Sequence, residues 1–194
     1  MESLHLGRPY AIMMVGIPGS GKSFFATQFA DTFHTPYIDS LAIEKLSKDG
    51  ESAGELIGVI LGELAKTKQS FIFEGNSDAR IHRTEFVRWA RNRGYQPLLI
   101  WVQVDHKTAL KRSLKSGSVS KDAFVSILRN FSTPHEDEKA VVISGKHTYA
   151  SQARVVLAHL SRDARPAQPT PTATAAPAPR PGSVQPPRRP ITIR

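Results

Sequence analysis

MMVGIPGSGKSFF, residues 13–25, sets an apolar run directly against a glycine-rich turn that closes on a lysine and a serine. Within it GIPGSGKS fits the pattern G-x-x-x-x-G-K-[ST] from Gly16 to Ser23. From ordinary glycine usage a chance match somewhere in such a chain is roughly a one-in-a-hundred event. The flanks are what the motif needs: YAIMMVG before it reads as a buried strand, and Phe25, Phe29 and Phe33 after it share one helical face. Glycines at 16, 19 and 21 free successive amides to turn toward phosphate oxygens, and the helix N-terminus adds a partial positive charge. Gly16, Ile17, Pro18, Gly19, Ser20, Gly21, Lys22 and Ser23 are therefore the expected nucleotide cradle. Lys22 is expected to bridge the β- and γ-phosphates, and the Ser23 hydroxyl to ligate Mg²⁺.

Working outward, short apolar runs alternate with helical patterns. Strands are expected at residues 10–16, 36–39, 70–75, 97–104 and 140–144, each a continuous apolar run of the kind covered on both faces in a parallel sheet. Helices are expected around Leu56, Ile60 and Leu64; Phe86, Trp89 and Ala90; Ala109, Leu110 and Leu114; Phe124, Ile127, Leu128 and Phe131; and Val155, Val156 and Leu160. This alternation predicts a three-layer α/β domain with right-handed crossovers. No internal repeat interrupts it.

Composition bounds the rest. At 194 residues and 40% hydrophobic, the chain fits one globular domain, and no run reaches the length of a membrane span. The start, MESLHLGRPY, lacks a signal-peptide layout, so the cytoplasm is the expected compartment. With Cys at 0, neither disulfides nor thiolate sites enter. The composition breaks near Arg165, which divides the chain into a domain over 1–164 and a Pro-, Ala-, Thr- and Arg-rich tail over 165–194, read as disordered. Five of the arginines lie in that tail, and removing them from the net charge of +9 leaves +4 for the domain. The high pI is thus weak support for nucleic-acid binding, and weak polyanion contact by the tail is the most it implies.

A phosphate loop alone does not select a reaction. No N-K-x-D is present to read guanine, no L-S-G-G-Q marks a transporter ATPase, and the chain is short for a ring motor. A compact kinase remains. In order and spacing, residues 10–161 resemble the polynucleotide-kinase-like group of small P-loop kinases, which includes relatives of zeta toxins. The likeness runs through GIPGSGKS, YIDS, FIFEGNSDARIHRTEFVRWARNRGY, VDHKTALKRSLKSG and VSKDAFVSILRNFSTPHEDE. It implies a P-loop NTPase fold with a five-stranded parallel sheet in the order 2-3-1-4-5, and transfer of the ATP γ-phosphate to a hydroxyl of a small molecule, a nucleotide or a nucleic-acid end. The expected protein is a monomer.

Asp39 ends the second strand at the sheet edge where open α/β folds bind ligands. By resemblance it is the general base for the acceptor hydroxyl; by sequence alone it is equally an N-cap for DSLAIEKL. Glu74 ends the third strand in the place of an acid that holds Mg²⁺, or pairs with a local base. Asn76 after it faces the acceptor by resemblance, or is a turn residue. Arg112 matches the first lid arginine and is expected to stabilise transferred charge, the alternative being a solvated helix-face residue. Two positions depart from the family: the second lid arginine falls at Lys115 or Ser116, and Ala42 stands where an arginine often grips an acceptor phosphate, with Lys45 or Arg80 as candidate substitutes. These departures keep open a nucleotide-dependent ATPase or switch, or a degenerate ATP-binding module acting through a nucleic-acid or protein partner. The histidines at 82, 106, 135 and 147 lack metal-ligand spacing, and Trp89 and Trp101 read as core.

Overall fold

A computed structural model describes residues 7–163, so the expected tail and its polyanion contact lie outside the described residues. Five parallel strands form one sheet in the order β2-β3-β1-β4-β5. They are β1 (Tyr10–Val15), β2 (Tyr37–Asp39), β3 (Phe71–Glu74), β4 (Gln96–Gln103) and β5 (Val141–Ser144). Seven α-helices surround them: α1 (Lys22–Phe33), α2 (Ser40–Leu46), α3 (Gly50–Thr67), α4 (Arg80–Asn92), α5 (His106–Ser116), α6 (Lys121–Asn130) and α7 (Tyr149–Asp163). The three-layer α/β arrangement read from the sequence and the strand order implied by the resemblance are those found.

All six residues of β1 are buried because the strand is central and covered on both faces. Tyr10, Ile12 and Met14 meet Phe25 and Phe29 of α1 and Val156 and Leu160 of α7. Ala11, Met13 and Val15 meet Leu61 and Ala65 of α3 and Phe86 and Ala90 of α4. Each such large apolar side chain contributes roughly 1.5–3 kcal/mol of transfer free energy. A smaller cluster of Ile17, Ala109 and Phe124 fastens the glycine loop to α5 and α6.

Several local expectations shift. Gly16, Gly75 and Val104 fall just outside the strands, and β4 begins at Gln96. The segment DSLAIEKL is a separate helix, α2, begun by the Asp39 side chain, which accepts from the amides of Leu41 and Ala42. In α3 the buried seam runs through Ala53, Leu61 and Ala65, so Leu56 is turned outward at 48% exposure. Ile57, Ile60 and Leu64 pack partly buried against the core cluster that holds Leu61 and Ala65, so of the expected face only Leu56 is turned away. Leu114 and Val155 are likewise exposed. Trp89 packs on Phe86 and edge-on to Phe71, as a core tryptophan does.

Arg83 of α4 has no exposed surface, and its guanidinium meets the Glu138 carboxylate through Nε at 2.7 Å and Nη2 at 2.9 Å. Its Nη1 donates to the carbonyls of Ser77, at 3.0 Å, and Ser132, at 2.9 Å. One buried cation thus ties the loop after β3 to the segment between α6 and β5. Burial, the largest single influence, would raise the Glu138 pKa, but the Arg83 hydrogen bonds, the His135 amide and the charges of Arg83 and Arg80 together outweigh it, and the carboxyl lies below its ordinary value. Breaking such a pair from one side leaves the other charge uncompensated, so Glu138→Gln is expected to destabilise the fold by about 3 kcal/mol or more. The urea midpoint measures this, and a loss under about 1 kcal/mol would show that the pair does not carry the connection.

Candidate active site

The loop between β1 and α1 is shaped by glycines with positive φ: 147° at Gly16, 75° at Gly19 and 104° at Gly21. A Cβ at Gly16 would lie 2.7 Å from the Val102 carbonyl oxygen, and one at Gly19 would lie 2.2 Å from that of Ala109. Side chains are excluded there by geometry as well as by conformation. Gly21 is the N-cap of α1 and offers no side-chain acceptor, so the first-turn amides of that helix are left for a ligand. Ile17 and Ser20 are buried, and the Ser20 amide closes a turn on the Ile17 carbonyl at 3.1 Å. Pro18 between them is half-buried.

Lys22 opens α1, and its ammonium donates to the Ile17 carbonyl at 3.2 Å while lying 3.9 Å from Glu74 Oε1. Burial pushes its pKa below the ordinary lysine value; the charges of Glu74 and Asp39 pull it partly back. These carboxylates come together because Asp39 and Glu74 are register partners on adjacent parallel strands. The Ser23 hydroxyl donates to Glu74 Oε1 at 3.0 Å. On the other carboxylate oxygen, Oε2, the Tyr37 hydroxyl donates at 2.8 Å. Asp39 caps α2 through Oδ1 alone, at 3.0 and 3.3 Å, so among the described residues Oδ2 accepts no hydrogen bond. The cap expected as an alternative for Asp39 is present, and it still leaves one oxygen for an acceptor.

The other expected cations stand elsewhere. Arg112 donates to the Gly145 carbonyl at 2.8 Å, on the β4–β5 side of the loop, across from Asp39. Gly145 itself touches the loop, since a Cβ there would lie 2.1 Å from the Ser20 carbonyl oxygen. Beside it a cleft of about 670 Å³ is lined by Ile17, His106, Lys146 and Gln152 among others. Asp105 caps α5 and binds Lys146 at 2.7 Å; that contact, with the Thr108 amide, holds its carboxyl far below the usual range. Lys115 and Ser116 are exposed at the end of α5, and Ala42 is exposed on α2. Arg80, a candidate substitute at the Ala42 position, has its guanidinium paired with Asp137. Spacing in the sequence pointed to neither Tyr37 nor Arg83 nor Gly145; the period-two alternation that puts Tyr37 and Asp39 on one face of β2 was the available signal for the first.

The glycine loop, the uncapped helix and the sheet order together define the fold of the small P-loop kinases. Solved structures carry the likeness further. A gluconokinase from Sinorhizobium meliloti aligns over 81% of this chain and 93% of its own, with a TM-score of 0.60 and 18% identity. An APS kinase from Mycobacterium tuberculosis, solved with AMPPNP and APS, aligns over 79% and 98%, with a TM-score of 0.62 and 15% identity. A shikimate kinase from Acinetobacter baumannii, solved with shikimate, aligns over 81% and 96%, with a TM-score of 0.53 and 17% identity. No protein-family model and no curated protein sequence matches the chain.

The donor set fits Mg²⁺: a serine hydroxyl and a carboxylate 3.0 Å apart, both hard oxygen ligands, beside a cradle able to supply phosphate. Among the described residues no group of three or more His, Cys, Asp or Glu is arranged to hold a metal by itself. None of the described helices is long and apolar enough to cross a membrane.

The lowered pKa of Lys22 gives a test. A triphosphate favours the ammonium, so nucleotide binding is expected to take up protons as the pH rises through the depressed Lys22 pKa, in a window below the ordinary lysine range. Calorimetry in two buffers of different ionisation enthalpy should show uptake rising with pH in this window and absent in Lys22→Met. Uptake that is flat across it would contradict the account.

Proposed function

We propose that the protein is an Mg²⁺- and ATP-dependent kinase that transfers the γ-phosphate to a hydroxyl of a small molecule. The observation that carries this reading is the convergence of Lys22, Ser23, Glu74 and Asp39 on one sheet edge, with Asp39 Oδ2 unengaged among the described residues. Residues Gly16 to Ser23 bind the phosphates. Ser23 and Glu74 hold Mg²⁺, which when bound shields the phosphate charge. Lys22 stabilises the charge that shifts toward the leaving oxygens, and Asp39 orients the acceptor. The acceptor oxygen bonds to the γ-phosphorus as the bond to the bridging oxygen breaks; ADP leaves with that electron pair, and the hydroxyl proton passes to Asp39 Oδ2. Arg112 adds charge to the nucleotide from the β4–β5 side.

An acceptor of small-molecule size, a nucleotide included, is favoured over a nucleic-acid end because the similar structures are named for gluconate, APS and shikimate chemistry. The polynucleotide-kinase-like likeness is the finer reading, and Ala42 weighs against a 3′-phosphate or DNA end gripped in the usual way. A second reading, an ATP-binding module or ATPase switch working through a partner, draws on the exposed Lys115 and on Arg112 being held by the Gly145 carbonyl.

Asp39→Asn separates chemistry from structure, because asparagine caps helices as well as aspartate does. With radiolabelled ATP and a broad panel of small alcohols, transfer is expected to fall at least about a hundredfold while ATP affinity stays nearly intact. Turnover within tenfold of the parent would remove Asp39 from the role of base. If no alcohol is ever labelled, yet a protein or nucleic-acid partner accelerates ATP hydrolysis, the module reading replaces the kinase reading.

A further inference from the structure

Glu74 is the acid on which the proposed metal site depends, and its carboxylate is held from two sides. Ser23 donates to Oε1 at 3.0 Å and Tyr37 donates to Oε2 at 2.8 Å. The two donors differ in one respect. The Ser23 hydroxyl is also the proposed ligand of the cation, so engaging a metal redirects the group that fixes Oε1. Tyr37 has no such second duty. Its ring packs against the core cluster beneath α1 and α7, and its residue pairs with Ile72 in the β2–β3 register, two positions before Asp39 and Glu74. The phenol therefore reaches along the sheet edge from a rigid base to the one oxygen that Ser23 does not touch.

The proton on that phenol is secure. Phenols in general titrate at about pH 10, above the range in which a kinase works. Tyr37 remains a donor throughout the range in which a kinase works. A carboxylate with a fixed donor on one oxygen presents the other in a set direction, which is how outer-shell partners tune metal ligands.

We infer that Tyr37 is a positioning residue for the metal site: it anchors Glu74 through Oε2 so that Oε1 stays directed at the divalent cation that accompanies the nucleotide. This rests on the Mg²⁺-nucleotide reading of the site, and the test keeps the two apart. The affinity of the full chain for AMPPNP is titrated in EDTA and across a Mg²⁺ series, for the parent, Tyr37→Phe, Glu74→Gln and the double variant. Tyr37→Phe is expected to leave the EDTA affinity within about twofold and to raise the Mg²⁺ needed for half-maximal tightening about tenfold, the scale seen when an outer-shell partner is lost. Because Tyr37 acts through Glu74, the same substitution in the Glu74→Gln background should shift that midpoint by less than about twofold.

An unchanged Mg²⁺ midpoint in Tyr37→Phe overturns the inference. So does an equal loss of affinity with and without Mg²⁺, which is what a merely structural tyrosine would give. Additive losses in the double variant would show that Tyr37 acts independently of Glu74, and overturn it as well. A parent protein that binds no AMPPNP in either condition would instead remove the nucleotide reading beneath it.

Discussion

The close approach of the β1–α1 loop to the carbonyls of its neighbours constrains the rest of this molecule. Gly16 abuts Val102, Gly19 abuts Ala109, and Gly145 abuts the carbonyl of Ser20, each at a distance no side chain tolerates. With the backbone drawn in so tightly, α1 follows an N-cap, Gly21, that has no side chain, and its first amides stay unspent at the sheet edge. Lys22, the next residue, is carried under the loop into a site where its charge is poorly solvated. Substituting any of these glycines forces the loop outward, and the lysine and the amides would move with it.

Around that loop the two kinds of buried charge are handled differently. Arg83 is fully satisfied by a bidentate carboxylate and by backbone carbonyls, so it fastens structure and has nothing left to offer. Lys22 is under-satisfied, with one carbonyl at 3.2 Å and a carboxylate at 3.9 Å. A buried cation short of partners favours an incoming anion, because binding restores what burial removed. The contrast separates Arg83, which fastens architecture, from Lys22, whose proposed part in phosphate binding it supports on grounds that do not depend on a motif.

Much of this was legible in the sequence. The glycine pattern predicted the loop, continuous apolar runs predicted strands covered on both faces, and the carboxylates at strand ends were placed correctly because a parallel sheet puts its strand ends along one edge. The strand order came from likeness to a family rather than from periodicity. Alternation along β2 could have put Tyr37 on the face of Asp39, but its hydrogen bond to Glu74 was not legible, since it depends on the β2–β3 register and on the reach of a phenol to the next strand. Arg83 looks in sequence like Arg80, Arg88 or Arg91; only tertiary packing shows that it alone is enclosed. Leu56 was set on the wrong face because the seam of α3 runs through Ala53, Leu61 and Ala65, and the two alanines in it carry little weight in a hydrophobic pattern.

The central claim is that the sheet edge formed by Lys22, Ser23, Asp39 and Glu74 receives a metal-bound triphosphate. A crystal structure of the full chain grown with Mg²⁺ and AMPPNP tests it most directly. The account predicts the β- and γ-phosphates within hydrogen-bond distance of the amides of residues 19–23 and of Lys22 Nζ, with the metal ligated by Ser23 Oγ on the Glu74 side. A nucleotide seated elsewhere, or a metal away from both Ser23 and Glu74, would contradict it.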